Sequence, residues 1–101
     1  MLAQIRIYTI NRGEIDAFLD HFQREVLPLH QQIGCPVIGV YVNRPQNEVV
    51  WVRTYTDEAD REAKGKAFQE ARAAAGITLG LNVAKMEVRD VEVVGDSIPV
   101  A

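Results

Sequence analysis

Two histidines, one cysteine and a set of aromatic and arginine side chains are the residues of this 101-residue chain whose chemistry is reactive enough to consider. His21 and His30 invite a metal reading. They stand nine residues apart in a stretch of helical period, which at ~100° per residue sets them roughly 180° apart around one helix. One ion cannot reach both, and no other His, Cys and carboxylate cluster has ligand spacing. Neither a metal nor a cofactor is expected. His30 is the better functional candidate, because it flanks an apolar stripe near the helix end. An imidazole with an ordinary pKa of about 6.5 can serve there as a general base. His21 falls on the outer side.

Cys35 sits between Gly34 and Pro36. A nucleophilic thiol needs a base and a lowered pKa, and nothing in the pattern supplies either, so a small buried thiol is expected. The acids Asp57, Glu58, Asp60 and Glu62 open a helical segment and complement its dipole. No serine-hydrolase, phosphate-loop or dinucleotide fingerprint occurs, and no catalytic residue can be named.

The remaining candidates are carried by strands. Read with period two, one parity is aliphatic: Ile5 and Ile7, Ile38, Val40 and Val42, Val50 and Val52, Met86 and Val88. The other is aromatic and charged: Arg6 and Tyr8, Tyr41, Trp51, Arg53 and Tyr55, then Lys85, Glu87 and Arg89. Successive strand side chains point to opposite faces. The aliphatic face is expected to receive helices. The aromatic face, too rich in rings for bare solvent, is expected to meet a second copy or a ligand, with Arg6, Tyr8, Tyr41, Trp51 and Arg53 at a dimer interface. Tyr8, His30, Trp51, Arg53 and Tyr55 are the candidate ligand-binding residues. Arg53 suits a carboxylate or phenolate, a tyrosine hydroxyl a carbonyl, and Trp51 a ring.

The elements that must position these groups follow from periodicity. Leu2 to Ile10 reads as a strand, with Asn11 and Glu14 as a capping-box-like start to a helix. Its apolar stripe is Ile15, Phe18, Leu19, Phe22, Val26, Leu29 and Ile33, and Pro28 predicts a kink or an early end. Strands follow at Val37 to Val42 and Glu48 to Tyr55 around a turn-rich loop. A second helix starts at Thr56 or Asp57, with Ala59, Ala63, Ala67, Phe68, Ala71 and Ala75 as its inner stripe. Val83 to Val94 is the last strand. The order strand, helix, strand, strand, helix, strand predicts a ferredoxin-like α+β fold, a four-stranded antiparallel sheet with two helices on one face. Residues 1–95 form one domain and residues 96–101 a C-terminal tail.

Composition narrows the function classes. With 48% hydrophobic and 25% charged residues the chain has an ordinary globular composition. No apolar run approaches the ~20 residues of a membrane span, and the alternating N-terminus reads as a strand and not a leader. A formal net charge of -3 argues against general polyanion binding. A single cysteine fits a reducing compartment. A cytoplasmic protein without membrane or nucleic-acid partners is expected.

The run from Ile7 through Gly13 to Phe18 and Leu19 resembles the opening of NIPSNAP domains, which begin with an aromatic strand, a glycine turn and a helix containing Phe. Leu27-Pro28-Leu29, the strand Val37 to Tyr41, and Val49 to Tyr55 before an acidic helix start continue the likeness over roughly residues 3–75. Where the family often has a Trp late in the second helix, this chain has Phe68 and alanines. The resemblance implies a homodimeric α+β barrel from a superfamily that includes cofactor-independent oxygenases, haem-degrading enzymes and isomerases, but it carries over no catalytic motif. The first expectation is a homodimer binding a small, mostly apolar organic ligand, with oxygenase or isomerase activity conceivable. The alternatives are a scaffold dimer without ligand, or a single-stranded nucleic-acid module stacking bases on Tyr8 and Trp51. Against the latter, the third strand lacks the glycine-containing basic motif of such modules.

Overall fold

A computed structural model describes residues 1–95; the expected tail at 96–101 lies outside the described residues. Strand β1 (Leu2–Ile10) runs into a turn in which the Glu14 N–H donates to the Asn11 carbonyl at 3.0 Å and Gly13 holds φ at +80°. Glycine adopts that angle without strain. Helix α1 (Ile15–His21) therefore begins behind Glu14 with no side-chain cap, so the Asn11 capping box does not form.

The first helix does not stop at Pro28. Between α1 and α2 (Leu27–Gln32) the backbone widens into a π turn, Phe22–Val26, and the Leu27 N–H bonds the Phe22 carbonyl. The wide turn loosens the ladder immediately before the residue that cannot donate. The apolar stripe thus continues to Leu29 and His30.

Strands β2 (Val37–Asn43) and β3 (Glu48–Tyr55) flank a short 3-10 turn, Arg44–Gln46, closed by Asn47 at φ +53°. Helix α3 (Glu58–Ala75) is capped by Asp57, whose carboxylate accepts from the Asp60 N–H at 2.8 Å. It ends at Gly76 with φ +68°. Phe68 is its buried residue; Ala67 and Ala71 are half-buried, while Ala59, Ala63 and Ala75 are exposed. The alanine stripe is thus narrower than periodicity suggests, and half-buried Asp60 and Lys64, paired at 2.6 Å, complete the inner edge. Strand β4 (Val83–Glu92) closes an antiparallel sheet of order β2-β3-β1-β4, which is the ferredoxin-like arrangement.

The faces of that sheet are not those expected. Tyr8, Val49, Trp51 and Phe68 belong to the same buried cluster as Phe18, Phe22, Val26 and Leu29, so the aromatic side of β1 and β3 lies beneath the helices. Tyr8, Trp51 and Arg53 are enclosed within the subunit and cannot form an interface; Arg6 shares their side of β1, half-buried. Tyr41 alone of the expected interface group is exposed and pairs with Val50 on the uncovered side. The reason is area and partners. Aromatic rings bury more surface than branched aliphatics, and Phe18 and Phe22 offer them edge-on contacts.

Phase between strands differs as well. Val40 lies opposite Trp51, Val88 opposite Arg6 and Met86 opposite Tyr8, so the edge strands turn aliphatics toward the helix side. Tyr41, Lys85, Glu87 and Arg89 share the open side with Ile5, Ile7, Val50 and Val52. Period two fixes alternation inside a strand, while the pairing register decides which parity meets which. A register shift between Val37 and Gly39 sets the phase of β2.

Candidate functional site

The register places Val37, Arg53, Gln4 and Asp90 in one row across all four strands on the helix side. The adjacent row is Val40, Trp51, Arg6 and Val88. Helix α2 lays His30 over these rows. Its ring stacks at 4.5 Å from that of Phe68 and stands edge-on to Trp51 at 5.2 Å.

Polar contacts link the rows into one network. The Arg53 Nε–H donates to Gln4 Oε1 at 2.9 Å, and its Nη1 lies 3.1 Å from His30 Nε2. Arg6 donates through Nη1 to the same Gln4 oxygen at 2.9 Å and through Nε to the Tyr8 hydroxyl at 2.9 Å. Gln4 Nε2 donates to Asp90 Oδ1 at 3.0 Å. The amide orientation is fixed, since only its oxygen can accept from two guanidiniums.

The same bookkeeping fixes the histidine tautomer. His30 Nδ1 lies 2.9 Å from the Val26 carbonyl, which can only accept, so Nδ1 carries the proton. Nε2 is then the acceptor that Arg53 requires. Burial, partly offset by the Val26 carbonyl and reinforced by Arg53 and Arg6, lowers the His30 pKa to about 4. His30 is therefore neutral near pH 7, with its lone pair engaged, and is not the free base its unperturbed pKa suggests. Burial also pulls the Arg53 pKa down, against Tyr55 and with the like charge of Arg6. Burial raises that of Tyr55, opposed by Arg53.

The network has more donors than acceptors. Among the described residues no carboxylate lies within ion-pair distance of Arg53 or Arg6. Asp90 reaches them only through the Gln4 amide and is paired with Arg61 at 3.5 Å. The Trp51 Nε1–H is buried without an acceptor among the described residues, although its ring lies under both guanidiniums, each 5.4 Å from the centroid.

Beside the network opens a groove of about 500 Å³, lined by Leu27, His30, Gln31, Cys35, Pro36 and Val37 along with Gly34. The volume suits a small organic molecule. Left-handed Gly34, at φ +70°, turns the chain from α2 into β2 and carries Cys35 into this wall. Burial raises the Cys35 pKa, against the pull of Arg53 and Lys64.

The five candidate ligand residues, Tyr8, His30, Trp51, Arg53 and Tyr55, lie around the arginine network, with Tyr55 joined through Arg53, 5.9 Å from its ring, and of the five only His30 lines the groove. Gln4 was not among the candidates, although its parity with Arg6 and Tyr8 places it on their side of β1. His21 lies apart, its Nε2 2.9 Å from the Thr78 carbonyl. Among the described residues no three His, Cys, Asp or Glu side chains gather as metal ligands.

A ferredoxin-like α+β domain with a buried arginine network beside an open groove is the class that this geometry defines. A family model described as NIPSNAP matches residues 3–78, and the chain belongs to the NIPSNAP family. An uncharacterized NIPSNAP domain protein from Burkholderia xenovorans is similar in structure, with a TM-score of 0.84, 23% identity and coverage of 99% of this chain and 100% of that one. A NIPSNAP family protein of unknown function from Agrobacterium tumefaciens has a TM-score of 0.82 and 19% identity over 96% and 91% of the two chains. A putative antibiotic biosynthesis monooxygenase from Nitrosomonas europaea shares the fold more distantly, with a TM-score of 0.65 and 11% identity over 94% and 100%. No curated protein matches the chain. Among the described residues no helix is long and apolar enough to cross a membrane.

Proposed function

We propose that this protein is a homodimer that holds a small, mostly apolar organic molecule between its helices and its sheet. The groove walled by His30, Cys35 and Val37, directly against the buried Arg53 network, carries this reading. It has apolar walls and a few convergent polar groups, the usual composition of a ligand site. The dimer reading is supported by the uncovered sheet face. Its centre is Ile5, Ile7, Val50 and Val52, and its β4 flank is the ion-paired set Lys85, Glu87 and Arg89. An apolar centre with a polar rim is the anatomy of a protein interface.

Base stacking is disfavoured by the same geometry, because Tyr8 and Trp51, 1% and 0% exposed, have no face to offer a nucleic acid. His30, the candidate base for any oxygenase or isomerase chemistry, has its Nε2 lone pair engaged by Arg53 and is free only when that contact is given up. Ligand binding is therefore the reading, with catalysis dependent on that displacement.

The test is a thermal-shift screen of small apolar compounds against the parent and Gln31→Trp, which fills the groove from an exposed position. Sedimentation of both proteins accompanies it. The expected result is a dimer in each case, with ligands that stabilise the parent and not the variant. A dimer with an empty screen decides for a scaffold without ligand.

A further inference from the structure

We infer that the molecule held in the groove ends in a carboxylate, and that Arg53, assisted by Arg6, recognises it. This rests on the reading that the groove takes a ligand, and it assigns the charge of that ligand.

Three observations converge. Two guanidiniums share one neutral acceptor, Gln4 Oε1, with no carboxylate in contact with either among the described residues. Two like charges held together in a partly desolvated place are an arrangement that an anion relieves. Donors also remain free: Nη2 of Arg53, Nη2 of Arg6 and the buried Trp51 Nε1–H have no acceptor among the described residues. A planar guanidinium with an open edge matches the two oxygens of a carboxylate. Finally, the network is one side chain away from the groove. His30 lines the groove and accepts from Arg53, and Val37, also in its wall, is the cross-strand partner of Arg53.

An entering carboxylate replaces His30 Nε2 on Arg53, since a charged acceptor binds a guanidinium more strongly than a neutral imidazole. Its apolar part remains against Leu27, Pro36 and Val37. The displaced imidazole then faces the ligand with a free lone pair.

The experiment uses matched pairs that differ only in charge: naphthoate and naphthamide, phenylbutanoate and its amide, decanoate and decanamide. Binding is measured by calorimetry and thermal shift on the full chain, the Arg53→Met variant and the Arg6→Gln variant. The expected result is binding of at least one acid about tenfold or more tighter than its amide. That preference disappears in Arg53→Met and weakens in Arg6→Gln. Without ligand, Arg6→Gln melts no lower than the parent, because the repulsion between the guanidiniums is relieved. Arg6 is half-buried, so this variant keeps the test decisive should Arg53→Met fail to fold. Acids and amides binding alike would overturn the charge assignment while leaving the groove as a ligand site. Binding of neither, with the Gln31→Trp variant indistinguishable from the parent, would overturn both.

Discussion

Acidification should destabilise this protein through His30 well before its carboxylates titrate. Burial lowers the folded-state pKa of His30 to about 4, while the unfolded chain keeps a value of about 6.5. The unfolded state therefore binds the proton first. The stability that His30 contributes is complete above pH 6.5, declines as the pH falls, and is gone below about pH 4. The full difference corresponds to about 3 kcal/mol, of which about 2 kcal/mol is lost between pH 7 and pH 5. Urea denaturation at fixed protein concentration, run in steps across that range, measures it. The parent should be compared with His30→Gln, which cannot titrate. Contributions from every other group are common to both proteins and cancel in the difference. The variant begins less stable, having lost ring packing on Phe68 and Trp51, and the gap should narrow toward pH 5. Parallel stability profiles from pH 7 to pH 5 would refute a buried, neutral His30.

Trp51→Ala should cost about 3–5 kcal/mol of folding stability by opening a cavity among Tyr8, Phe22 and His30. A loss confined to association, seen as a concentration-dependent melting point with unchanged subunit stability, would return Trp51 to an interface. Val52→Asp puts a charge at the centre of the open sheet face and should raise the dimer dissociation constant at least ~10-fold, read by sedimentation; an unchanged dimer places the interface elsewhere. Cys35, 4% exposed and with its pKa raised by burial, should react with a disulfide reagent at pH 7 at least ~100-fold more slowly in the native protein than in urea. Equal rates would show that the Gly34–Pro36 loop opens freely.

The order of elements was legible because each carries its own signal: period two in the strands, the Phe18–Phe22–Val26 stripe, and the stop at Gly34 and Pro36. What periodicity could not supply was phase. Alternation shows that Ile7 and Tyr8 face opposite ways, but the pairing of Tyr8 with Val49 and Met86 decides where each parity ends. The expectation that charge excludes a face from the core failed at Arg53 for a specific reason. Gln4, distant in sequence, and His30, on a helix, supply acceptors that no local pattern reveals. Pro28 marked the irregularity in the helix but not its form, since the π turn that accommodates it has no sequence signature of its own. The candidate site residues were recognisable as types, and their common location is a property of the sheet register.

Carboxylate recognition by Arg53 is tested by watching the network while a ligand binds. In heteronuclear NMR spectra the Trp51 indole N–H and the Nε–H groups of Arg53 and Arg6 give resolvable signals, and the parent protein can be titrated with phenylbutanoate and with its amide. Saturable shifts are expected at Trp51, Arg53 and the His30 ring with the acid, much smaller ones with the amide, and little change at Ile7 or Val52 on the open face. Shifts confined to exposed residues, or an unmoved Arg53 signal while the acid binds elsewhere, would contradict that recognition.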